Sequence, residues 1–236
     1  MTVSVGENLS LPGERIIAGK AEQIKNMDFD SLSVMYIENP LAVEPHLPLA
    51  DIDFIRAEIP MTKEEVRWLS IAKLAISPQD VLFDIGAGTG SVSVEMARKA
   101  YDSIVYAVEA KKDACELIQA NASKHGAFNL KVIHGKAPEA LEDLPVPDKA
   151  FIGGSSGNMF EILETLLKMN PNIKITANAI TLQTLNEIIT GFEKHGITET
   201  DIVSVNISKS KKIGNYDMMM AQNPVYIITG NRGQAN

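Results

Sequence analysis

From Pro60 onward, apolar runs alternate with amphipathic stretches. Apolar runs at 81–86, 104–109, 131–134, 149–153, 173–179, 201–208 and 224–229 predict strands. Helical spacing between them predicts helices over 91–100, 111–124, 137–142, 158–168 and 181–194. His125-Gly126 and His195-Gly196 each close a helix, with glycine at the left-handed position. Val81-Leu82-Phe83 and the run Ile104 to Val108 are apolar on both faces, as in a parallel sheet covered by helices on both sides. No long helical pattern separates the last two strands, so they are expected to pair antiparallel at one edge. The alternation predicts an α/β, Rossmann-like fold with a seven-stranded, mostly parallel sheet and an antiparallel edge hairpin.

Upstream the pattern changes. Thr62-Lys63-Glu64-Glu65 reads as a capping box opening a helix that runs to about Ala75. Residues 39–60 hold Pro40, Pro45, Pro48 and Pro60 without periodicity and read as a linker or wrapping arm. Before them, a strand at 14–18, a short helix at 21–27 and a strand at 32–38 make a unit too small to bury its own core. The expected organisation is a segment 1–45, a linker 46–60 and a main domain 61–236.

Composition narrows the class. At 236 residues, with 45% hydrophobic and 22% charged positions, the chain supports a core without disulfides or metals. No apolar run reaches the ~18 residues a membrane span needs. Residues 1–10 lack the charge and apolar stretch of a signal peptide. The single cysteine, Cys115, excludes a disulfide framework or zinc cluster and suits a reducing cytosol, so a cytoplasmic location is expected. A net charge of −8 disfavours a nucleic acid as the main partner.

The most specific local feature is Asp84-Ile85-Gly86-Ala87-Gly88-Thr89-Gly90-Ser91, which follows a buried strand and opens a helix. Its glycines let a ligand lie against bare main chain, and the new helix offers unpaired N–H groups. Glu109 closes the second strand, nineteen residues after Gly90, where a ribose-binding acid belongs. A dinucleotide site wants glycine where Ser91 stands, and it does not want a carboxylate beneath the pyrophosphate. Asp84 instead suits a ligand with a cationic end, such as S-adenosylmethionine. One charge pair at ~4 Å and an effective dielectric of 20 is worth roughly 4 kcal/mol before desolvation. The alternative is that Asp84 only caps the loop by accepting its N–H groups.

From Ile59 to Gly230 the chain resembles the decarboxylating precorrin-6B (cobalt-precorrin-6B) C15-methyltransferase family of cobalamin biosynthesis. The matching stretches are Pro60 to Arg67, Asp84 to Ser93, Gly135 to Leu141, Phe151 to Ser155, Asn178 to Leu182 and Asn223 to Val225. The resemblance implies a class I S-adenosylmethionine-dependent methyltransferase fold and a homotetramer. It also implies methylation of carbon 15 of a corrin precursor, with loss of the ring-C acetate carboxyl. Carried over position by position, Thr62, Gly86, Ala87, Gly88, Thr89, Gly90, Glu109 and Ala137 would join Asp84 in contacting the methyl donor. Pro12 to Ile16 and Leu32 to Pro40 resemble the tail of the companion C5-methyltransferase. The rest of that domain does not match, and no C5 activity is expected.

A large flat substrate with many carboxylates would find room and backbone amides at Gly153, Gly154 and Ser155, in a loop that reads equally as a plain turn. Lys209 and Lys211, with Lys212, form a basic cluster that reads as counter-charge or as a guarded edge strand. Met218-Met219-Met220 reads as core or subunit packing, or as a soft pocket rim. Cys115 reads as a buried inert thiol. His134 ends the third strand without a partner for acid–base work, and no catalytic residue is assigned. Methyl transfer from a sulfonium needs in-line placement more than a strong base. Two other readings stay open on the residues alone, a tRNA adenine methyltransferase and a non-catalytic cofactor-binding partner.

Overall fold

The computed structural model describes residues 1–38 and 47–233. Pro40, Pro45 and His46 of the expected linker lie outside the described residues. The chain divides into two compact units, Met1–Glu44 and Pro45–Asn236.

In the first unit, β1 (Thr2–Glu7) pairs antiparallel with β2 (Arg15–Lys20) on one side and β3 (Ser33–Glu38) on the other. Helix α1 (Ala21–Ile24) sets Ile24 against Val3 and Val5, the buried core of this small sheet. The sequence pattern shows β2, α1 and β3. It misses β1, whose Val3 and Val5 alternate with polar neighbours for too few residues to stand out.

The second unit holds the site. Its elements are α2 (Glu64–Leu74), β4 (Leu82–Ile85), α3 (Ser91–Lys99), β5 (Val105–Glu109), α4 (Lys112–Lys124), β6 (Leu130–His134), β7 (Lys149–Ile152), α5 (Met159–Met169), β8 (Lys174–Ala179), α6 (Leu182–Lys194) and β9 (Glu199–Val205). β10 (Ser208–Ile213), β11 (Tyr216–Ala221) and β12 (Val225–Asn231) follow. Seven strands form one sheet in the order β6-β5-β4-β7-β8-β12-β9. β4 to β8 run parallel, and β12 runs antiparallel to both β8 and β9. The predicted antiparallel edge is therefore present. Between its two strands the chain inserts a separate hairpin, β10–β11, which the apolar pattern does not reveal because its strands are exposed along their length.

Alternation along the strands builds a core on each face. Phe83, Ile85 and Val108 pack under α5 and α6, through Ile162, Leu166, Ile188 and Phe192. Leu82 and Val105 pack on the other face with Ile71 and Leu74 of α2 and Val92 and Met96 of α3. Burial on both faces is what double-sided apolar strands require. Among the described residues, no helix is long and apolar enough to cross a membrane.

Residues 47–63 form a strap over the second core. Leu49 and Phe54 are buried in that core. Arg67 of α2 is fully buried and closes the strap into a loop, donating to Leu49 O and Thr62 O at 2.7 Å each. Its guanidinium stacks 4.7 Å from the Phe54 ring centre. Residues 47–60 of the expected linker are thus an integral part of the larger unit.

The expected capping box at Thr62 does not form. The helix starts at Glu64 with Lys63 as its N-cap, and no side chain caps it. Glu64 and Glu65 point elsewhere, each binding Lys209 at 2.7 Å.

Candidate active site

The parallel strands β4, β5 and β7 end together, and the segments that follow them line one cavity of about 630 Å³. That volume falls in the range for small-molecule sites. Its position beyond the carboxyl ends of the strands is where doubly wound sheets bind ligands.

The floor is the glycine loop. Gly86 takes φ +72°, and a β-carbon there would stand 2.5 Å from the Gly154 carbonyl oxygen. Both the left-handed backbone and the close approach of a second loop exclude any side chain. One position past the paired residues Ile85, Ile152 and Ala177 stand Gly86, Gly153 and Asn178. The row above the sheet edge is therefore bare over two strands and ends at an amide.

Asp84 is buried beneath this floor, facing α3, and Ser93 Oγ donates to it. Its hydrogen-bond partner is thus Ser93 in the first turn of α3, and not the loop N–H groups that the scaffold alternative expected. Its Oδ1 nevertheless has no protein partner, and the residue lines the cavity. Burial raises its pKa to about 7; the Ser93 hydrogen bond opposes this and the Glu109 charge adds to it. The sequence reading of a standing anion is therefore incomplete. Without a cation beside it, Asp84 is poised between its two protonation states at neutral pH.

Glu109 ends β5 with both carboxylate oxygens held by backbone: Oε2 accepts from Gly88 N and Oε1 from Lys111 N, each at 2.9 Å. Each oxygen keeps a lone pair for a further donor. Ala137 is buried in the next loop, where the Asn158 amide donates to its carbonyl at 3.0 Å. Across the slot, Ile59, Pro60, Met61 and Thr62 of the strap form the opposite wall.

Of the residues singled out from sequence, Thr62, Asp84, Gly86, Ala87, Gly88, Thr89, Glu109, Ala137, Gly153, Gly154 and Ser155 all line this cavity. Gly90 lies just behind it, where a β-carbon would meet Ile118 of α4 at 2.9 Å, so its role is to let α3 pack on α4. Lys209 and Lys211 are not brought in. Lys209 is engaged by Glu64 and Glu65, and Lys211 is exposed on β10 outside the lining, so neither supplies the cavity with the expected counter-charge. His134 is exposed beside Ala110 O, and Cys115 is buried with its pKa raised by that burial.

Sequence reasoning missed the far wall: Asn178, Thr181, Thr184, Glu187 and Gln222. Asn178 was findable, since it stands within β8 one position past Ala177, level with Gly86 and Gly153. The others come from α6 and from the link between β11 and β12, which only packing brings to the cavity. Two helices that begin at this wall lack a side-chain cap, α2 at Lys63 and α5 at Asn158.

The sheet order, the bare glycine floor and the backbone-locked acid at the end of β5 define a class I methyltransferase of the S-adenosylmethionine-dependent kind. The precorrin methyltransferase domain model matches residues 53–232. A relative from Methanococcus maripaludis (strain C5), named "Probable cobalt-precorrin-6B C(15)-methyltransferase (decarboxylating)", is 38% identical over 182 residues, 77% of this chain and 97% of its own. The crystal structure of precorrin-6Y C5,15-methyltransferase from Geobacter metallireducens is similar with a TM-score of 0.74 and 36% identity, over 79% of this chain and 97% of that one. That of precorrin 8W decarboxylase from Methanobacterium thermoautotrophicum gives 0.73 and 32%, over 78% and 99%. The chain belongs to the precorrin methyltransferase family. That membership sets aside the tRNA adenine methyltransferase reading, which the glycine loop and Glu109 alone left open.

Proposed function

We propose that this protein transfers a methyl group from S-adenosylmethionine to C15 of precorrin-6B or cobalt-precorrin-6B and removes the ring-C acetate carboxyl as carbon dioxide. The observation that carries the reading is the donor half of the cavity, where Glu109 is held by two amides beside a floor too tight for any β-carbon. Near full-length likeness to a relative named for that reaction supports the substrate.

Bound there, the donor supplies an electrophilic methyl on a cationic sulfur. Glu109 offers one free lone pair per oxygen to the two ribose hydroxyls. Ala137 leaves space for the adenine, and Thr62 closes the slot from the strap side. Asp84 gives the donor's cationic end a partner, ionising as the charge arrives. The substrate half is built for positioning: Gly154 and Gly157, where a β-carbon would meet nothing within 4 Å, leave room for a flat ring edge. The electron pair of the broken carbon–carboxyl bond enters the conjugated ring, which can itself attack the methyl carbon. No side chain is required as a strong base.

A homotetramer, expected from the resemblance, is supported by the exposed apolar side chains of β10–β11. Tyr216 and Met219 there are 77% and 65% exposed in the single chain.

The test is to incubate the protein with S-adenosylmethionine and the metal-free or cobalt-containing precursor and weigh the product. The expected product gains one methyl group and loses carbon dioxide. A product with neither change defeats the proposal.

A further inference from the structure

Asn121 sits near the C-terminal end of α4 and is fully buried, away from every residue assigned to substrate. Three of its polar contacts are made, one to the glycine loop that lines the donor slot and two to Ile55 of the strap, four residues before the strap reaches the slot at Ile59. Its Nδ2 donates to Thr89 O at 2.9 Å, in the glycine loop, and to Ile55 O at 3.1 Å, in the strap. Its Oδ1 accepts from Ile55 N at 2.7 Å. The bidentate grip on Ile55 fixes the orientation of the amide, because only a donor suits Ile55 O and only an acceptor suits Ile55 N.

Beyond Ile55 the strap continues to Ile59–Thr62, which lie against the glycine loop at the donor slot. Pro60 O of the strap stands 3.2 Å from where a β-carbon on Gly88 would be. Thr89 and Gly88 line the cavity on one side and Ile59 to Thr62 on the other. The strap has other fastenings, but they hold it to the body rather than to the loop. Arg67 and Glu95 take Leu49, and His125 Nε2 lies 2.9 Å from Asp53 O. Among the hydrogen bonds of the described residues, the Asn121 amide is what joins strap to loop.

We infer that Asn121 is a positioning residue that sets the width of the methyl-donor slot by tying Ile55 of the strap to Thr89 of the glycine loop. Donor binding and ordering of the strap are then one event. The inference rests on the donor being S-adenosylmethionine and is independent of which tetrapyrrole is methylated.

The experiment compares Asn121→Asp with His125→Ala, using S-adenosylmethionine and S-adenosylhomocysteine as probes in calorimetry, alongside thermal melting. The Asp variant keeps the acceptor to Ile55 N but loses both donors. It should raise the dissociation constant by about tenfold or more, the ratio one lost buried hydrogen bond corresponds to. The His125 variant loosens the same strap without touching the loop and should change it by less than about threefold for a comparable drop in melting temperature. Equal effects of the two variants on affinity would reduce Asn121 to a structural role and overturn the inference. Should the Asp variant fail to fold, hydrogen exchange on the unaltered protein decides. S-adenosylhomocysteine should slow exchange at Ile55 to Thr62 together with Gly88 to Gly90. Slowing in the loop with none in the strap overturns the inference. No binding of either probe to the unaltered protein would instead defeat the donor assignment itself.

Discussion

The Glu109 carboxylate accepts the Gly88 amide at 2.9 Å, so the acid that ends β5 holds the middle of the glycine loop in place. One side chain thus shapes the glycine-loop floor and, in the proposed function, also binds the donor. Replacing it removes both functions. Glu109→Gln should weaken S-adenosylmethionine binding by about tenfold to a few hundredfold, the equivalent of roughly 1.5–3 kcal/mol for a charge-assisted hydrogen bond. Calorimetry checks this, and unchanged affinity removes Glu109 from the site.

Asp84 makes binding depend on pH. Its pKa in the empty protein is raised to about 7, chiefly by burial. Below pH 7 the carboxyl is mostly protonated, and a cationic donor must expel that proton. Affinity should therefore rise with pH up to about 7 and then level off, and Asp84→Asn should flatten the profile. Stability runs the other way. The folded state holds a proton that the unfolded chain releases near pH 4, so the cost of Asp84 builds as pH rises from about 4 to 7 and stays constant above. Asp84→Asn should be more stable than the parent at pH 8, by on the order of a few kcal/mol at most, with no gain at pH 4. Denaturant titrations at the two pH values test the sign.

Gly86 tolerates no side chain. Gly86→Ala forces a β-carbon to 2.5 Å from Gly154 O in a left-handed backbone, so the two loops must part. The left-handed conformation alone costs about 1–2 kcal/mol. The variant should melt lower and lose donor binding. A variant that binds the donor normally would show that the floor is softer than this packing implies.

Lys209 is bound by Glu64 and Glu65 outside the cavity and is part exposed. Exposed ion pairs contribute about 0–1 kcal/mol, so Lys209→Ala should move stability by no more than that and leave the KM for the tetrapyrrole within about twofold. A large KM increase would return Lys209 to the substrate site.

The hairpin β10–β11 presents Met218, Met219 and Met220 to solvent in the single chain. Met219→Asp should lower the assembly mass measured by light scattering while leaving the monomer fold, read by circular dichroism, intact. An unchanged mass places the subunit contact elsewhere.

The strands and helices of the larger unit were legible because burial on both sheet faces writes double-sided apolar runs into the chain. The glycine loop was legible for a local reason: Gly86 to Gly90 and Glu109 take their places from backbone geometry near their own strand ends. The capping box at Thr62 was misread because its Glu65 is claimed by Lys209, a residue 144 positions later whose proximity no local pattern encodes. Lys209 and Lys211 were misplaced for the same reason, since β10–β11 leaves the sheet.

What the sequence by itself determined is the order of strands and helices, the glycine floor and the acid that answers it, because these depend on residues close in the chain. Tertiary structure alone decided that residues 59–63 of the strap line the cavity, that burial raises the Asp84 pKa to about 7, that Gln222 reaches the cavity and that Asn121 bonds both strap and loop. Burial, and with it proton affinity and hydrogen-bond partnership, is set by whatever distant segment packs alongside.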